Sequence, residues 1–284
     1  MRAHYIVLAG WCGLLQGCAV MGFEDQSSSC EIVIEVPYRQ DRKAADIDSA
    51  AGPPAGAIAT DPASPPESAV HGGTISPTLV PLDNMQVPAI GSLEFCSGTL
   101  IAPTWVLTAK HCGLTVENSF CIGERNDDAN ICFAPTRVID HPAADLTLIE
   151  LSQPPAERMP GLHPIPIMTE TLDCSWLGTM AEAAGYGRAP NLGFGTRFFT
   201  AEPIVALSHN SITIDGLGRR GMCGGDSGGP VMVEASDGSV RVAGVLEGGD
   251  ATCRGLDYFS RTDTAYEWIE SFVGHVEPEL GDRR

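Results

Sequence analysis

Gly225-Asp226-Ser227-Gly228-Gly229-Pro230 is the stretch of this 284-residue sequence that decides its fold. Glycine on both sides of Ser227 lets the backbone turn tightly around the serine without a clash of Cβ atoms. The main-chain N–H groups of Gly225 and Ser227 can then point to the place where an oxyanion develops during acyl transfer. A serine hydroxyl is a weak nucleophile at neutral pH and needs an adjacent base. The stretch therefore predicts a nucleophilic site, provided that the chain also contains a base and a group that orients it.

Two upstream segments contain these groups. His111 ends an apolar, β-branched run and is followed by Cys112. Asp145 directly precedes a second apolar run, while Asp140 stands nearby as the alternative. Histidine, aspartate and serine in this chain order resemble the trypsin/chymotrypsin-like serine proteases, and the resemblance extends over residues 70–272. The family's buried aspartate also directly precedes a strand, which favours Asp145.

The resemblance implies an all-β fold of two antiparallel six-stranded β-barrels, with the active site between them and a short C-terminal helix. The pattern of residues agrees, because short apolar runs recur between Gly, Pro, Asn and Asp. Thr264 and Glu267 form a capping-box pair that predicts a terminal helix over 264–272. The predicted strands lie at 98–101, 105–108, 136–139, 146–151, 198–207, 211–214, 231–234 and 240–246.

The same resemblance implies a serine endopeptidase that acts on protein or peptide substrates. His111 would take the proton of Ser227 and return it to the leaving amine, while Asp145 holds the histidine tautomer. The N–H groups of Gly225 and Ser227 would form the oxyanion hole. This chemistry requires no metal or organic cofactor.

The specificity pocket departs from the family in two places. Alignment on the family's substrate-binding strand, which includes Gly249, puts Glu247 where a small serine normally supports the catalytic aspartate. Gly248 replaces a bulky aromatic residue that lines the pocket. A carboxylate this close to Asp145 would raise the pKa of one member of the pair. Glu247 therefore favours an alternative function, a catalytically silent binding module with this fold on the cell surface.

The floor of the pocket is expected at Gly221, which is uncharged. Asp257 would approach the pocket from the opposite wall. A buried anion there would attract Arg or Lys at the residue before the scissile bond, because pairing offsets its desolvation. Small or medium apolar residues are the alternative preference.

The beginning of the chain predicts export. Residues 1–17 contain a short apolar stretch after Arg2 that is typical of a signal peptide and too short to span a bilayer. Leu15-Gln16-Gly17-Cys18 looks like a bacterial lipoprotein processing site, so a lipid on Cys18 would attach the protein to a membrane. Plain secretion is the alternative. Ten cysteines also favour an oxidising, extracytoplasmic compartment.

Residues 18–69 form an extension before the predicted protease domain at 70–284. Val70-His71-Gly72-Gly73 resembles the new N-terminus of activated family members, whose α-amino group pairs with the aspartate before the catalytic serine, here Asp226. The chain is therefore expected to be a zymogen. No Lys or Arg lies between Lys43 and Val70, so the unidentified activating protease is not expected to be trypsin-like.

Eight cysteines remain after Cys12 and Cys18, an even number. Family position implies one bond that braces the histidine loop and one that ties the serine loop to the opposite pocket wall. A third would close a short hairpin loop, and a fourth would tether the extension to the protease. In that order the pairs are Cys96–Cys112, Cys223–Cys253, Cys121–Cys132 and Cys30–Cys174.

The net charge excludes one class of partner. The formal charge of the chain is −19 at pH 7, and most of the acidic residues lie after the extension. An acidic protein is repelled by the phosphate backbone, so nucleic acid is not expected as a partner.

Overall fold

The computed structural model describes residues 29–32, 70–125, 131–189 and 193–274. The predicted signal peptide, Cys18 and most of the extension lie outside these residues. The strands are β1 (Cys30–Glu31), β2 (Ile90–Leu93), β3 (Cys96–Ala102), β4 (Trp105–Thr108), β5 (Phe120–Ile122), β6 (Ile131–Phe133), β7 (Pro135–Asp140), β8 (Thr147–Leu151), β9 (Met180–Gly185), β10 (Arg188–Ala189), β11 (Gly193–Phe194), β12 (Phe198–Leu207), β13 (Ser211–Asp215), β14 (Pro230–Glu234), β15 (Val240–Gly249) and β16 (Leu256–Arg261).

The C-terminal half forms a closed six-stranded antiparallel barrel. Its strands follow the order β12-β13-β16-β15-β14-β9, and pairing of β12 with β9 closes the circle. Alternation decides which face points inward, since Ile212 and Ile214 of β13 are fully buried while their neighbours are half-exposed. Phe259 of β16 fills the same core. The predicted all-β fold is confirmed.

The N-terminal half is a curled sheet of seven strands in the order β6-β5-β2-β3-β4-β8-β7. Phe120 and Phe133 are fully buried inside this half-barrel. Its core continues into the other half, where Tyr186 and Phe199 belong to the same cluster of buried side chains. The Tyr186 hydroxyl also donates to the Ile90 carbonyl, at 3.0 Å, across the junction. The two halves thus share packed surface, and the cleft between them has fixed walls.

Short helices complete the fold, and they include 3₁₀ turns at Val87–Ala89, Lys110–Cys112, Pro155–Glu157 and Cys174–Trp176. The single α-helix within the described ranges, α1, spans Tyr266–Val273. Its N-cap is Ala265, which makes no side-chain capping bond, so the capping box predicted for Thr264 and Glu267 is wrong. The helix begins two residues later than predicted, which puts Thr264 outside it. Within the parts of the chain that the structure describes, no helix has the length and apolar character needed to cross a bilayer.

The extension is joined to the C-terminal barrel at residues 29–32. Cys30 and Glu31 of β1 pair with Leu207 and Ala206 at the end of β12, and the Ile32 N–H donates to the Val205 carbonyl at 2.8 Å. A disulfide from Cys30 fixes the same segment covalently. The structure contains the disulfides Cys30–Cys174, Cys96–Cys112, Cys121–Cys132 and Cys223–Cys253.

Candidate active site

His111 and Asp145 are brought together by two paired strands. His111 lies in the 3₁₀ turn directly after β4, and Asp145 lies shortly before β8, whose Thr147 pairs with Thr108 of β4. The His111 Nδ1 atom is 2.6 Å from Asp145 Oδ2, and the His111 backbone N–H donates to Asp145 Oδ1 at 2.8 Å. Two contacts to one carboxylate fix both the position and the tautomer of the ring. Nε2 is thereby left as the nitrogen that can accept a proton.

The alternative aspartate has a different partner. Asp140 Oδ1 accepts a hydrogen bond of 2.6 Å from the Thr147 hydroxyl. The side chains of His111 and Asp145 are 41% and 25% exposed, so the ring is accessible from the cleft while its carboxylate is partly shielded. Of the two aspartates, Asp145 is the one that contacts the histidine.

The serine loop is pressed against the strands that lead to His111. The Ser227 carbonyl accepts from the Ser97 N–H at 2.7 Å. Gly228 has φ +81°, and a Cβ at this position would lie only 2.2 Å from Thr108 Oγ1 and 2.3 Å from the Ser97 carbonyl oxygen. Only glycine fits such an approach. Among the described residues, no hydrogen bond joins Ser227 Oγ to His111, a contact that often tightens only when substrate binds.

Two N–H groups of the serine loop have no acceptor within the described part of the chain. The N–H groups of Asp226, Gly228 and Gly229 donate to backbone carbonyls at 2.8–3.0 Å. Those of Gly225 and Ser227 are the exceptions. Gly225 has φ +96°, a conformation that favours glycine. Two unpaired donors two residues apart in a tight loop are the kind of group that an oxyanion requires.

Asp226 is fully buried behind this loop. Its Oδ1 accepts from the Gly187 N–H and its Oδ2 from the Cys223 N–H, both at 2.7 Å. Burial raises the pKa of this carboxyl to about 6, against the opposing effect of the two hydrogen bonds. A Cβ at Gly185 would lie 2.3 Å from Asp226 Oδ1, so the carboxylate occupies space that only glycine leaves free.

Val70 lies at the edge of the same region. Its side chain is fully buried in the core of the C-terminal barrel. The next residue, His71, exchanges two backbone hydrogen bonds with Gly221, at 3.0 and 3.2 Å. The segment at which activation is predicted is therefore attached, by an isolated β-bridge, to the loop segment that leads to Ser227.

A cavity of about 400 Å³ opens beside Ser227. Gly248 and Gly249 line it, as predicted for substrate-binding residues, and nothing lies within 4 Å of a Cβ added at Gly248. Gly221 does not line it, because a Cβ there would meet the Cys253 carbonyl at 2.8 Å instead of open space. The lining residues are Arg188, Met222, Cys223, Gly224, Ser227, Leu246, Gly248, Gly249, Asp250, Ala251 and Cys253.

Asp257 is buried behind the wall of this cavity and does not line it. Its Oδ2 accepts from the Met222 N–H at 2.8 Å, whereas Oδ1 has no hydrogen-bond partner in the described chain. A Cβ at Gly249 would lie 1.9 Å from Oδ1, so the carboxyl packs directly against this cavity-lining glycine. Burial, followed by the charges of Glu202 and other acidic residues, raises the pKa of Asp257 to about 8.

Glu247 lies at an irregularity of β15, between two residues that pair regularly with β16. Its carboxylate accepts a hydrogen bond from the Ser260 hydroxyl. The carboxylate of Asp145, in contrast, makes its hydrogen bonds to His111. Glu247 lies on the predicted strand, and its carboxylate has a hydrogen-bond partner other than Asp145.

Lys110 and His141 are functional candidates that the sequence patterns did not reveal. The Lys110 ammonium donates to the His141 carbonyl at 3.0 Å, and the His141 ring accepts from two N–H groups of the loop that contains Asp145. The dipeptide His141-Pro142 before a short loop is the sequence signal that could have pointed to His141. Among the described residues, no group of three or more His, Cys, Asp or Glu side chains could hold a metal ion.

Comparison with known proteins identifies relatives of this chain. The family model described as Trypsin matches residues 82–269, a range that includes His111, Asp145 and Ser227. Over 216 residues the chain is 27% identical to "Serine protease filzig" of Drosophila melanogaster. That alignment covers 63% of this chain and 12% of the relative, so the chain spans about an eighth of the relative's length.

Proposed function

Because the chain belongs to the trypsin family, we propose that it is a serine endopeptidase that hydrolyses protein or peptide substrates. The observation that supports this most is the pair of unpaired N–H groups at Gly225 and Ser227. They lie on a loop held against the strands that lead to His111. A loop that leaves two donors unpaired at a nucleophile is suited to acyl transfer.

The reaction proceeds in two halves. His111 Nε2 takes the proton of Ser227 Oγ as the oxygen attacks the scissile carbonyl carbon, and the carbonyl oxygen becomes an oxyanion bound by the two N–H groups. Each donor contributes on the order of 3 kcal/mol to this step. The imidazolium, stabilised by Asp145, then gives its proton to the leaving amine. Water, deprotonated by His111, releases the acyl group and restores the Ser227 hydroxyl.

Activation is proposed to occur by cleavage before Val70. The freed α-amino group would be a cation next to the buried carboxyl of Asp226, whose negative charge has no counter-ion in its two hydrogen bonds to N–H groups. A buried carboxylate is costly unless it is paired. Formation of the ion pair would therefore favour the ordered serine loop. In this proposal, residues 70–284 are the protease and residues 18–69 the extension that precedes it.

Specificity at the residue before the scissile bond is assigned to the cavity beside Ser227. Gly248 makes it roomy, and the unpaired Oδ1 of Asp257 lies directly behind Gly249. A basic side chain that reaches this wall would stabilise the ionised form of Asp257. We therefore propose a preference for Arg or Lys that strengthens as pH rises through about 8.

Four disulfides fit an oxidising, extracellular environment. The signal peptide and the lipid on Cys18 stay predictions of the sequence. A catalytically silent binding module was suggested by Glu247 near Asp145. The hydrogen bond that Glu247 accepts from Ser260 supports the protease over that alternative.

The direct test is hydrolysis by protein that begins at Val70. Wild type should cleave a peptide library and react with a fluorophosphonate probe. Ser227→Ala should lose about 10⁶-fold in kcat, as expected when a triad serine is removed, while its melting temperature stays close to that of wild type. Hydrolysis by Ser227→Ala at the wild-type rate would show that another group is the nucleophile.

A further inference from the structure

His141 organises the loop that carries Asp145. This loop connects β7 with β8, and the His141 N–H closes it by donating to the Leu146 carbonyl at 2.8 Å. Inside the loop, His141 Nδ1 accepts hydrogen bonds from the N–H groups of Ala143 at 3.1 Å and Ala144 at 2.7 Å. One imidazole thus binds the two backbone N–H groups that directly precede the aspartate.

No side chain between His141 and Asp145 can replace this acceptor. Pro142, Ala143 and Ala144 stand between His141 and Asp145, and none of them has a polar side-chain group. The conformation of the four residues that lead to Asp145 therefore depends on the acceptor that His141 provides. The loop is short, so a change in the His141 contacts is transmitted to the Asp145 carboxylate over only a few bonds.

His141 also connects this loop to the histidine segment and to the C-terminal helix. Its carbonyl accepts from the Lys110 ammonium at 3.0 Å, and Lys110 directly precedes His111. Its ring contacts Trp268 of α1 edge-on, with centroids 4.7 Å apart and planes at 76°. His141 therefore links the loop that carries Asp145 to the segment that carries His111 and to the C-terminal helix.

The His141 ring must be neutral to perform this role, because Nδ1 accepts two hydrogen bonds and cannot carry a proton at the same time. Burial and the positive charge of Lys110 lower the pKa of His141. Both effects keep the Nδ1 lone pair available at neutral pH.

We propose that His141 is a positioning residue that holds the Asp145 carboxylate in place for its contact with His111. The inference rests on the proposed function, since it assigns a role within the same triad. His141 acts through Asp145 and does not touch the reacting atoms. Displacement of a catalytic group by about 1 Å can cost on the order of 10²-fold in rate, and this sets the size of the expected effect.

The test uses two amide variants of the full chain after cleavage before Val70, with the extension still attached through Cys30–Cys174, assayed with one peptide substrate. Asn at position 141 places its oxygen where Nδ1 lies, whereas Gln places its oxygen near Nε2. His141→Asn should keep kcat within a few-fold of wild type. His141→Gln should lower kcat roughly 10²-fold with KM nearly unchanged, because binding does not depend on Asp145.

A second readout is independent of turnover. The His111 Nδ1 proton, shared with Asp145, should give a far-downfield proton NMR signal in wild type and in His141→Asn, and this signal should be lost in His141→Gln. His141→Phe, which keeps the ring against Trp268 without an acceptor, should behave as His141→Gln does.

The outcomes separate the two proposals. Wild-type kcat and an intact downfield signal in both His141→Gln and His141→Phe would overturn the positioning role and leave the protease function standing. Equal losses in the Asn and Gln variants, matched by equal losses of folded protein, would also overturn it. Wild type that neither hydrolyses peptides nor reacts with the fluorophosphonate would overturn the proposed function, and the positioning role with it.

Discussion

The buried Asp226 carboxyl makes the stability of the uncleaved chain depend on pH. Its pKa rises from 3.8 in the unfolded chain to about 6 in the folded protein. At 1.36 kcal/mol per pKa unit, ionisation of the folded carboxyl costs about 3 kcal/mol. The folded protein binds this proton more tightly than the unfolded chain does. The stabilisation that the protonated carboxyl provides is therefore complete below about pH 4. It disappears as pH rises through about 6.

Asp226→Asn isolates this contribution, because the amide does not titrate. The substitution costs one acceptor, since an amide has one carbonyl oxygen where the carboxylate accepts from both Gly187 and Cys223. That cost is independent of pH. Between pH 4 and pH 7, a window that covers most of the titration, wild type should therefore lose about 2 kcal/mol more unfolding free energy than Asp226→Asn does in the uncleaved chain. In the chain cleaved before Val70, with the extension still attached through Cys30–Cys174, a paired α-amino group should abolish or reverse this difference.

Urea unfolding at pH 4 and pH 7 measures all four free-energy differences. The cleaved and uncleaved forms should be compared with the Cys30–Cys174 disulfide intact in both, so that they differ only in the charged chain ends created at Ala69 and Val70. Parallel pH dependence of wild type and Asp226→Asn in the uncleaved chain would refute the reasoning about burial. An undiminished difference after cleavage would refute the proposed ion pair.

Two further predictions concern the extension and the pocket. After cleavage before Val70, the extension should stay attached through Cys30–Cys174 until a reductant is added. Mass spectrometry of non-reduced peptides tests this, and a free Cys174 would contradict it. Arg and Lys substrates should gain kcat/KM over Ala and Phe substrates as pH rises from 7 to 9 in wild type, but not in Asp257→Ala. A basic preference that persists in Asp257→Ala would mean that another group recognises the substrate.

Much of the fold could be predicted because several strands have a sequence pattern that identifies them without knowledge of their partners. The apolar, β-branched runs at Trp105–Thr108 and Phe198–Leu207 have the predicted bounds in the structure. Met180–Gly185 was missed because three of its six residues are alanine and none is β-branched. It is a strand because pairing with β12 and β14 closes the barrel, and that closure depends on distant parts of the chain.

The candidate site also has residues that local sequence could predict and residues whose positions depend on distant parts of the chain. His111, Asp145 and Ser227 are recognisable because each stands in a distinctive local stretch. The positions of Glu247 and Asp257 depend on how β15 pairs with β16, and the irregularity at Glu247 cannot be read from the order of residues. His141 was missed for a related reason, since its contacts to Lys110 and Trp268 join segments far apart in sequence.

The central claim is that Ser227 is a nucleophile activated by His111. Protein beginning at Val70 should be treated with a fluorophosphonate, digested, and sequenced by tandem mass spectrometry. The account predicts a single adduct on Ser227 in wild type and none in His111→Ala, with both proteins folded. An adduct on another residue, or equal labelling of Ser227 without His111, would contradict it.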